Sequence, residues 1–174
     1  MPVKVRTLVT AAVFIALTFA VTRFTAIPIP ATKGFFNLGE VVIYVAAIAL
    51  GPIVGMLVGG IGSALADVVA APLFAPFTLV IKGIEGYVVG RLAGETSRSR
   101  FRAAIIGGAC MVLGYFGAEV LFARVLRIAP TPTTAVGLAL TEVPFNIVQV
   151  AVGVAVAVPT SVRLAGALRE SRGG

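Results

Sequence analysis

The sequence predicts an all-α integral membrane protein of six transmembrane helices with both termini in the cytoplasm. Three observations carry this. The 174 residues are 59% hydrophobic and only 12% charged, with a mean hydropathy of +1.06, whereas a soluble surface needs roughly a quarter of its residues charged. The apolar runs last about 18 to 25 positions, enough to cross a hydrocarbon core ~30 Å thick at ~1.5 Å per residue. No stretch shows the ~10-residue alternation of barrel strands. The length suits a single integral membrane domain over residues 1–174.

The first run, Val5 to Ala26, follows Lys4 and Arg6 and meets no charge until Arg23. It exceeds the ~7 to 15 residues of a signal-peptide core, and further spans follow, so a retained helix is expected. Within it Ala12, Ala16 and Ala20 recur every fourth residue and form one smooth strip, of the kind that lets another helix approach closely. From Ile27 to Leu38 the prolines, a glycine and Lys33 break the helix, and an exposed loop is expected. Gly39 to Leu50 is short for a span, and Gly51-Pro52 marks a turn or hinge before the third run, Ile53 to Ala71. There Gly51, Gly55 and Gly59 repeat at four-residue spacing, with Gly60 and Gly62 added, so this backbone should pack tightly on its neighbours.

After a Pro-bounded break at Ala71 to Pro76, the fourth run, Phe74 to Leu92, leads into a basic loop with Arg98, Arg100 and Arg102. The fifth runs from Ala103 to Leu126 and the sixth from Ala135 to Val158, joined by a Pro-rich loop; Pro159 should kink or end the last helix. With six crossings, nine basic residues (Lys4, Arg6, Arg91, Arg98, Arg100, Arg102, Arg163, Arg169 and Arg172) fall on the side of the termini and Arg23, Lys33, Arg124 and Arg127 on the other. The positive-inside rule therefore puts the termini in the cytoplasm.

The formal charge of +7 resides at helix ends, where it orients helices and does not build a nucleic-acid-binding face. A single Cys110 excludes an intramolecular disulfide, and the absence of His closes imidazole chemistry. No phosphate-binding loop, metal set or serine triad is present, so no enzyme activity, metal or cofactor is expected.

What remains are ionisable groups inside apolar sequence, where each charge left unpaired costs on the order of 3 kcal/mol or more. Counted from the outer helix ends at ~1.5 Å per residue, Glu40 lies ~3 Å deep, Asp67 ~6 Å, Glu119 ~10 Å, Lys82 and Glu142 ~12 Å, and Glu85 and Asn146 ~16 to 18 Å. All occupy the outer half. Lys82 with Glu85, Tyr115 with Glu119, and Glu142 with Asn146 and Gln149 each share a helix face. These residues predict an outward-opening polar cavity; an ion pair of Lys82 with Asp67 or Glu85 that only holds helices together is the plainer alternative. A third reading is an ion-coupled secondary transporter or channel subunit using Asp67, Glu85 and Glu119, although the internal repeats common in such transporters are not evident.

The pattern resembles the substrate-binding S components of energy-coupling factor (ECF) transporters. The features that carry the resemblance are the Ala12, Ala16, Ala20 strip, Phe36-Asn37-Leu38-Gly39-Glu40, the Leu50-Gly51-Pro52 turn followed by Gly55 to Asp67, and Ile81-Lys82-Gly83-Ile84-Glu85-Gly86. The last two look like the riboflavin and hydroxymethylpyrimidine-type branch. The resemblance implies capture of a small vitamin from outside a prokaryotic plasma membrane. It also implies docking through the alanine strip onto a transmembrane T subunit that is bound to two ATPases. Substrate-binding residues would be Asn37, Glu40, Asp67, Lys82, Glu85, Glu119, Glu142 and Asn146, with stacking left to Phe35, Phe36, Phe74, Phe77, Tyr87, Phe116 or Phe145. Acidic groups outnumber Lys82, which favours a neutral or hydrogen-bond-donating heterocycle: a thiamine-precursor pyrimidine, a vitamin B6 form or riboflavin.

Overall fold

The structure, a computed structural model, describes residues 5–29, 34–125 and 127–173. Lys4 and Lys33, counted above in the charge asymmetry, lie outside the described residues. Six helices follow the six apolar runs: α1 (Val5–Phe24), α2 (Gly39–Leu50), α3 (Pro52–Ala70), α4 (Ala75–Leu92), α5 (Ser97–Val125) and α6 (Pro132–Gly173). Helices α1, α3, α5 and α6 are long and apolar enough to cross a membrane. The 18-residue α4 carries Lys82, Glu85 and Arg91, and α2 has only 12 residues.

Three expectations need correction. The expected loop Ile27 to Leu38 contains an antiparallel hairpin of β1 (Ile27–Ile29) and β2 (Gly34–Phe36), with Ile27 opposite Phe36 and Pro28 opposite Phe35. Proline stops a helix but is tolerated in a two-stranded ribbon, where one edge has no partner to satisfy. Arg98, Arg100 and Arg102 belong to the first turns of α5 and not to a loop. Thr96 Oγ1 accepts the Ser99 N–H at 3.1 Å and starts the helix there, ahead of the apolar run. Pro159 does not end α6, which continues to Gly173 through both Pro144 and Pro159. In hydrocarbon a broken helix has no water to satisfy its backbone, so the regular helix persists around the lost bond.

The bundle is built around the α3–α4 pair, the most intimate helix contact in the fold. Gly55 and Gly86 face one another so closely that a Cβ on Gly55 would sit 2.5 Å from the Gly86 carbonyl oxygen, and a Cβ on Gly59 would strike the Lys82 carbonyl. The four-residue glycine step thus lets α3 and α4, the helices of Asp67 and Lys82, meet backbone to backbone. Gly51, with φ of 90°, makes the turn from α2 into α3 in a conformation that suits glycine. The apolar core lies between α2, α4, α5 and α6 around Ile43, Tyr44, Val89, Met111 and Ala157. On α1, Ala11 and Thr18 are buried, whereas Ala12 and Ala16 are exposed.

Candidate functional site

Helix periodicity places Glu40 and Tyr44 on one face of α2, and Lys82 and Glu85 on one face of α4. The structure closes these two faces together. Lys82 Nζ contacts Glu40 Oε1 directly and lies 3.1 Å from Glu85 Oε2, while the Tyr44 hydroxyl donates to Glu85 Oε1 at 2.8 Å. Lys82 is 3% exposed and both glutamates are fully buried, so one ammonium bridges two carboxylates out of solvent. The partner expected for Lys82 was Asp67 or Glu85; Glu85 is found, Asp67 is not, and Glu40 takes its place. Glu40 was counted ~9 Å shallower than Lys82 along its helix, yet the two touch. Depth along a single helix therefore does not set which charges meet; the packing of α2 on α4 does.

One turn before Lys82 on α4, the Thr78 hydroxyl donates to Asp67 Oδ2 of α3 and lies 2.9 Å from the Tyr115 hydroxyl of α5. A hydroxyl has one proton to give. With that proton on Asp67, Tyr115 donates to Thr78, and a directed chain Tyr115→Thr78→Asp67 ties three helices. Lys82 Nζ also sits 5.6 Å from the centroid of the Tyr115 ring, within cation–π range.

The α6 face completes the ring. Gln149 Oε1 accepts the backbone N–H of Asn37 at 2.5 Å, and Asn37 Oδ1 accepts from the N–H of Gly39 at 2.8 Å. Leu38 N–H donates to Thr25 Oγ1 at 2.9 Å. These bonds fasten the segment between the hairpin and α2 to both α6 and the end of α1. Glu142 and Asn146 flank Pro144, which has no N–H to donate to the Leu140 carbonyl one turn earlier in α6. Glu119 of α5 lies against Glu142.

Between these groups is a small polar cavity of about 40 Å³, well below the ~300 to 1,000 Å³ of sites that hold a drug-sized ligand. It lies at the hairpin end of the bundle, since Phe35, Asn37, Ala71 and Phe74 form part of its wall. Of the residues singled out in the sequence, Asn37, Asp67, Lys82, Glu142 and Asn146 line it. Glu40 and Glu85 stand behind Lys82 and Glu119 stands beside Glu142; these three are not in the wall. Phe35 and Phe74 are the expected stacking residues that reach the cavity, while Phe77 instead packs on Phe122 at 4.6 Å between ring centroids. Sequence reading missed Thr22, Ser63 and Thr78 in the wall. The signal was there: each stands four residues from another polar group, Thr18, Asp67 and Lys82 in turn, on an otherwise apolar helix.

Fold and site define a multi-pass membrane protein that encloses a polar hollow among apolar helices. The family model for the ECF-type riboflavin transporter, S component, matches residues 2–166, and the chain belongs to that family. Among curated proteins it is 49% identical over 96 residues to an "Uncharacterized protein in gap 3'region" of Pyrococcus woesei, covering 54% of this chain and 65% of that one. It is 30% identical over 115 residues to the "Thiamine precursor transporter HmpT" of Lactococcus lactis subsp. cremoris, covering 65% of this chain and 66% of the relative. The matched region thus spans about two thirds of the length of each of these relatives.

Proposed function

We propose that this protein is the membrane-embedded capture subunit of an ECF-type importer, which takes a small water-soluble vitamin or vitamin precursor from outside the cell and delivers it inward. The single observation that supports this most is the cavity itself: polar side chains from α1, α3, α4, α5 and α6 converge with Phe35 and Phe74 on one small hollow. Buried charge is costly in a bilayer, and here it is gathered around one polar hollow. Thiamine-precursor pyrimidines, vitamin B6 forms and riboflavin are the substrates in view. The family model points to the last of these and the Lactococcus relative's name to the first.

In this reading all six helices lie in a prokaryotic plasma membrane with both termini in the cytoplasm. The Ala12, Ala16, Ala20 strip docks on a transmembrane T subunit carrying two ATPases, which supply the energy. The ion-coupled alternative through Asp67, Glu85 and Glu119 gains nothing from the geometry, because Asp67 is held by Thr78 and Glu85 by Lys82 and Tyr44.

The test is mass spectrometry of small molecules retained when the protein is purified in mild detergent, followed by calorimetric titration of each compound found. A vitamin or precursor that binds once per chain, and whose binding is lost in Asp67→Leu/Asn146→Leu, is the expected result. A protein that retains nothing and binds none of the three candidate classes would overturn the reading.

A further inference from the structure

On the outside of the bundle, α5 and α6 enclose an apolar groove of about 420 Å³. Gly108 lets the two helices close up, since a Cβ there would strike Val150 at 2.4 Å. Beside this contact the small Ala109 and Ala151 leave a trough, with the exposed Ile105, Leu113 and Ile147 standing around it. Both helices are long and apolar enough to cross a membrane, so the groove opens toward lipid.

On α5 the groove runs into charge. At ~3.6 residues per turn, Arg98, Arg102, Ile105, Ala109 and Leu113 fall within an arc of about 80° on that helix. Arg98 and Arg102 are exposed, and Arg102 stands one turn, ~4.5 Å, before Ile105. The 29 residues of α5 extend ~43 Å against a hydrocarbon core of ~30 Å, so its charged first turns lie at the level of the lipid headgroups. Between residues 91 and 102 four arginines stand against a single acidic residue, Glu95. Arg100 is on the opposite face of α5, buried, and its Nε donates to the Gly94 carbonyl at 3.2 Å; it serves the turn between α4 and α5 and not the groove.

We propose that this groove is a lipid site: it seats one acyl chain of an anionic phospholipid, whose phosphate is held by Arg98 and Arg102. The groove and the surrounding bilayer are equally apolar, so seating a chain gives little preference over bulk lipid by itself. Selection comes from the arginines, which meet phosphate oxygens through charge-assisted hydrogen bonds, while the seated chain fixes the headgroup beside them. Each such cation near an anionic headgroup is worth about 5-fold in binding. An apolar helix of a partner protein would fill the trough but leave both guanidinium groups unanswered.

The experiment is native mass spectrometry of the full chain, delipidated in detergent and offered an equimolar mixture of phosphatidylglycerol and phosphatidylcholine with identical acyl chains. One phosphatidylglycerol per chain is expected, preferred over phosphatidylcholine on the order of 30-fold. Arg98→Gln/Arg102→Gln should bring that ratio close to one. Ala109→Phe, which fills the trough, should weaken retention of both lipids several-fold; the thermal midpoint of each variant shows that it is folded. Glycerol phosphate, a headgroup without chains, should not displace the lipid at equal concentration. Equal retention of the two lipids by the unaltered protein, a preference unmoved in the arginine variant, retention unmoved in Ala109→Phe, or displacement by glycerol phosphate overturns the proposal. So does a photo-crosslinker at Leu113 that, in native membranes, captures a partner chain in place of lipid. The two-lipid comparison on the unaltered protein decides the question even if a variant does not fold.

Discussion

Lys82 of α4 holds Glu40 of α2, a contact across 42 positions of sequence between two helices that neither length nor hydropathy would have paired. The short α2 is joined to α4 by this contact and by the Tyr44–Glu85 hydrogen bond, in addition to its apolar packing. Removing one partner of a buried pair strands the other, at about 3 to 5 kcal/mol. Lys82→Ala is therefore expected to lower thermal stability in detergent sharply. A Lys82→Met/Glu40→Gln/Glu85→Gln combination, which removes charge of both signs, should recover most of the loss. Differential scanning fluorimetry checks both, and equal destabilisation by the single and the combined variant would show that the charges are not coupled.

The close approach of α3 and α4 gives a second, sterically driven expectation. A Cβ on Gly86 would collide with backbone atoms of Gly55, which cannot yield as a side chain can. Gly86→Ala should cost about 1 to 3 kcal/mol, as overpacking of a close-fitted interior does. Gly117, on α5, has open space at its Cβ position and serves as the control. Gly117→Ala is expected to leave the unfolding midpoint unchanged or slightly raised, because alanine favours the helix by up to ~1 kcal/mol over glycine in water.

Tyr115→Thr78→Asp67 links the cavity wall through hydrogen bonds in series. Thr78→Val preserves shape but leaves Asp67 without its donor, so it should cost more than Tyr115→Phe, which removes only the first member. A net hydrogen bond is worth ~1 kcal/mol, whereas a stranded charged acceptor costs more. A double-mutant cycle on unfolding midpoints and on ligand affinity should give a coupling energy well above experimental error. Strict additivity of the two changes would dissolve the chain into independent contacts.

Much of the fold was legible because one quantity, hydropathy over a membrane thickness, governs it. The predicted run Gly39 to Leu50 coincides with α2, and Ile53 to Ala71 differs from α3 by one residue at each end. The glycine step announced the α3–α4 contact, since little else explains so many poor helix formers in one span. What failed were features set by partners. The hairpin depends on Ile27 pairing with Phe36, a relation that two prolines disguise. The Glu40–Lys82 contact depends on how α2 packs against α4, which counting along one helix cannot supply. Asp67, Lys82 and Glu142 were found as wall residues because charge in hydrocarbon is conspicuous. Thr22 and Ser63 were missed because hydroxyls can satisfy themselves on their own helix and so attract no notice.

The two faces of α1 have different surroundings. Thr18 and Thr22 are buried against the bundle, with Thr22 in the cavity wall, while Ala12 and Ala16 face away from it. An exposed small-residue strip gains little from lipid tails, which are as apolar as larger side chains would be, but it permits close approach of another helix. Ala16→Leu is accordingly expected to leave folding and ligand affinity as they are, because no neighbour within the chain must move to accept the larger side chain. In cells that supply the T subunit and ATPases, the same change should reduce uptake of the retained ligand to near background, through loss of docking. Radiolabelled uptake and binding, measured in parallel on one preparation, separate the two effects. If uptake persists at the unaltered rate with leucine in the strip, α1 is not the docking helix, and the partner must meet the bundle on another face.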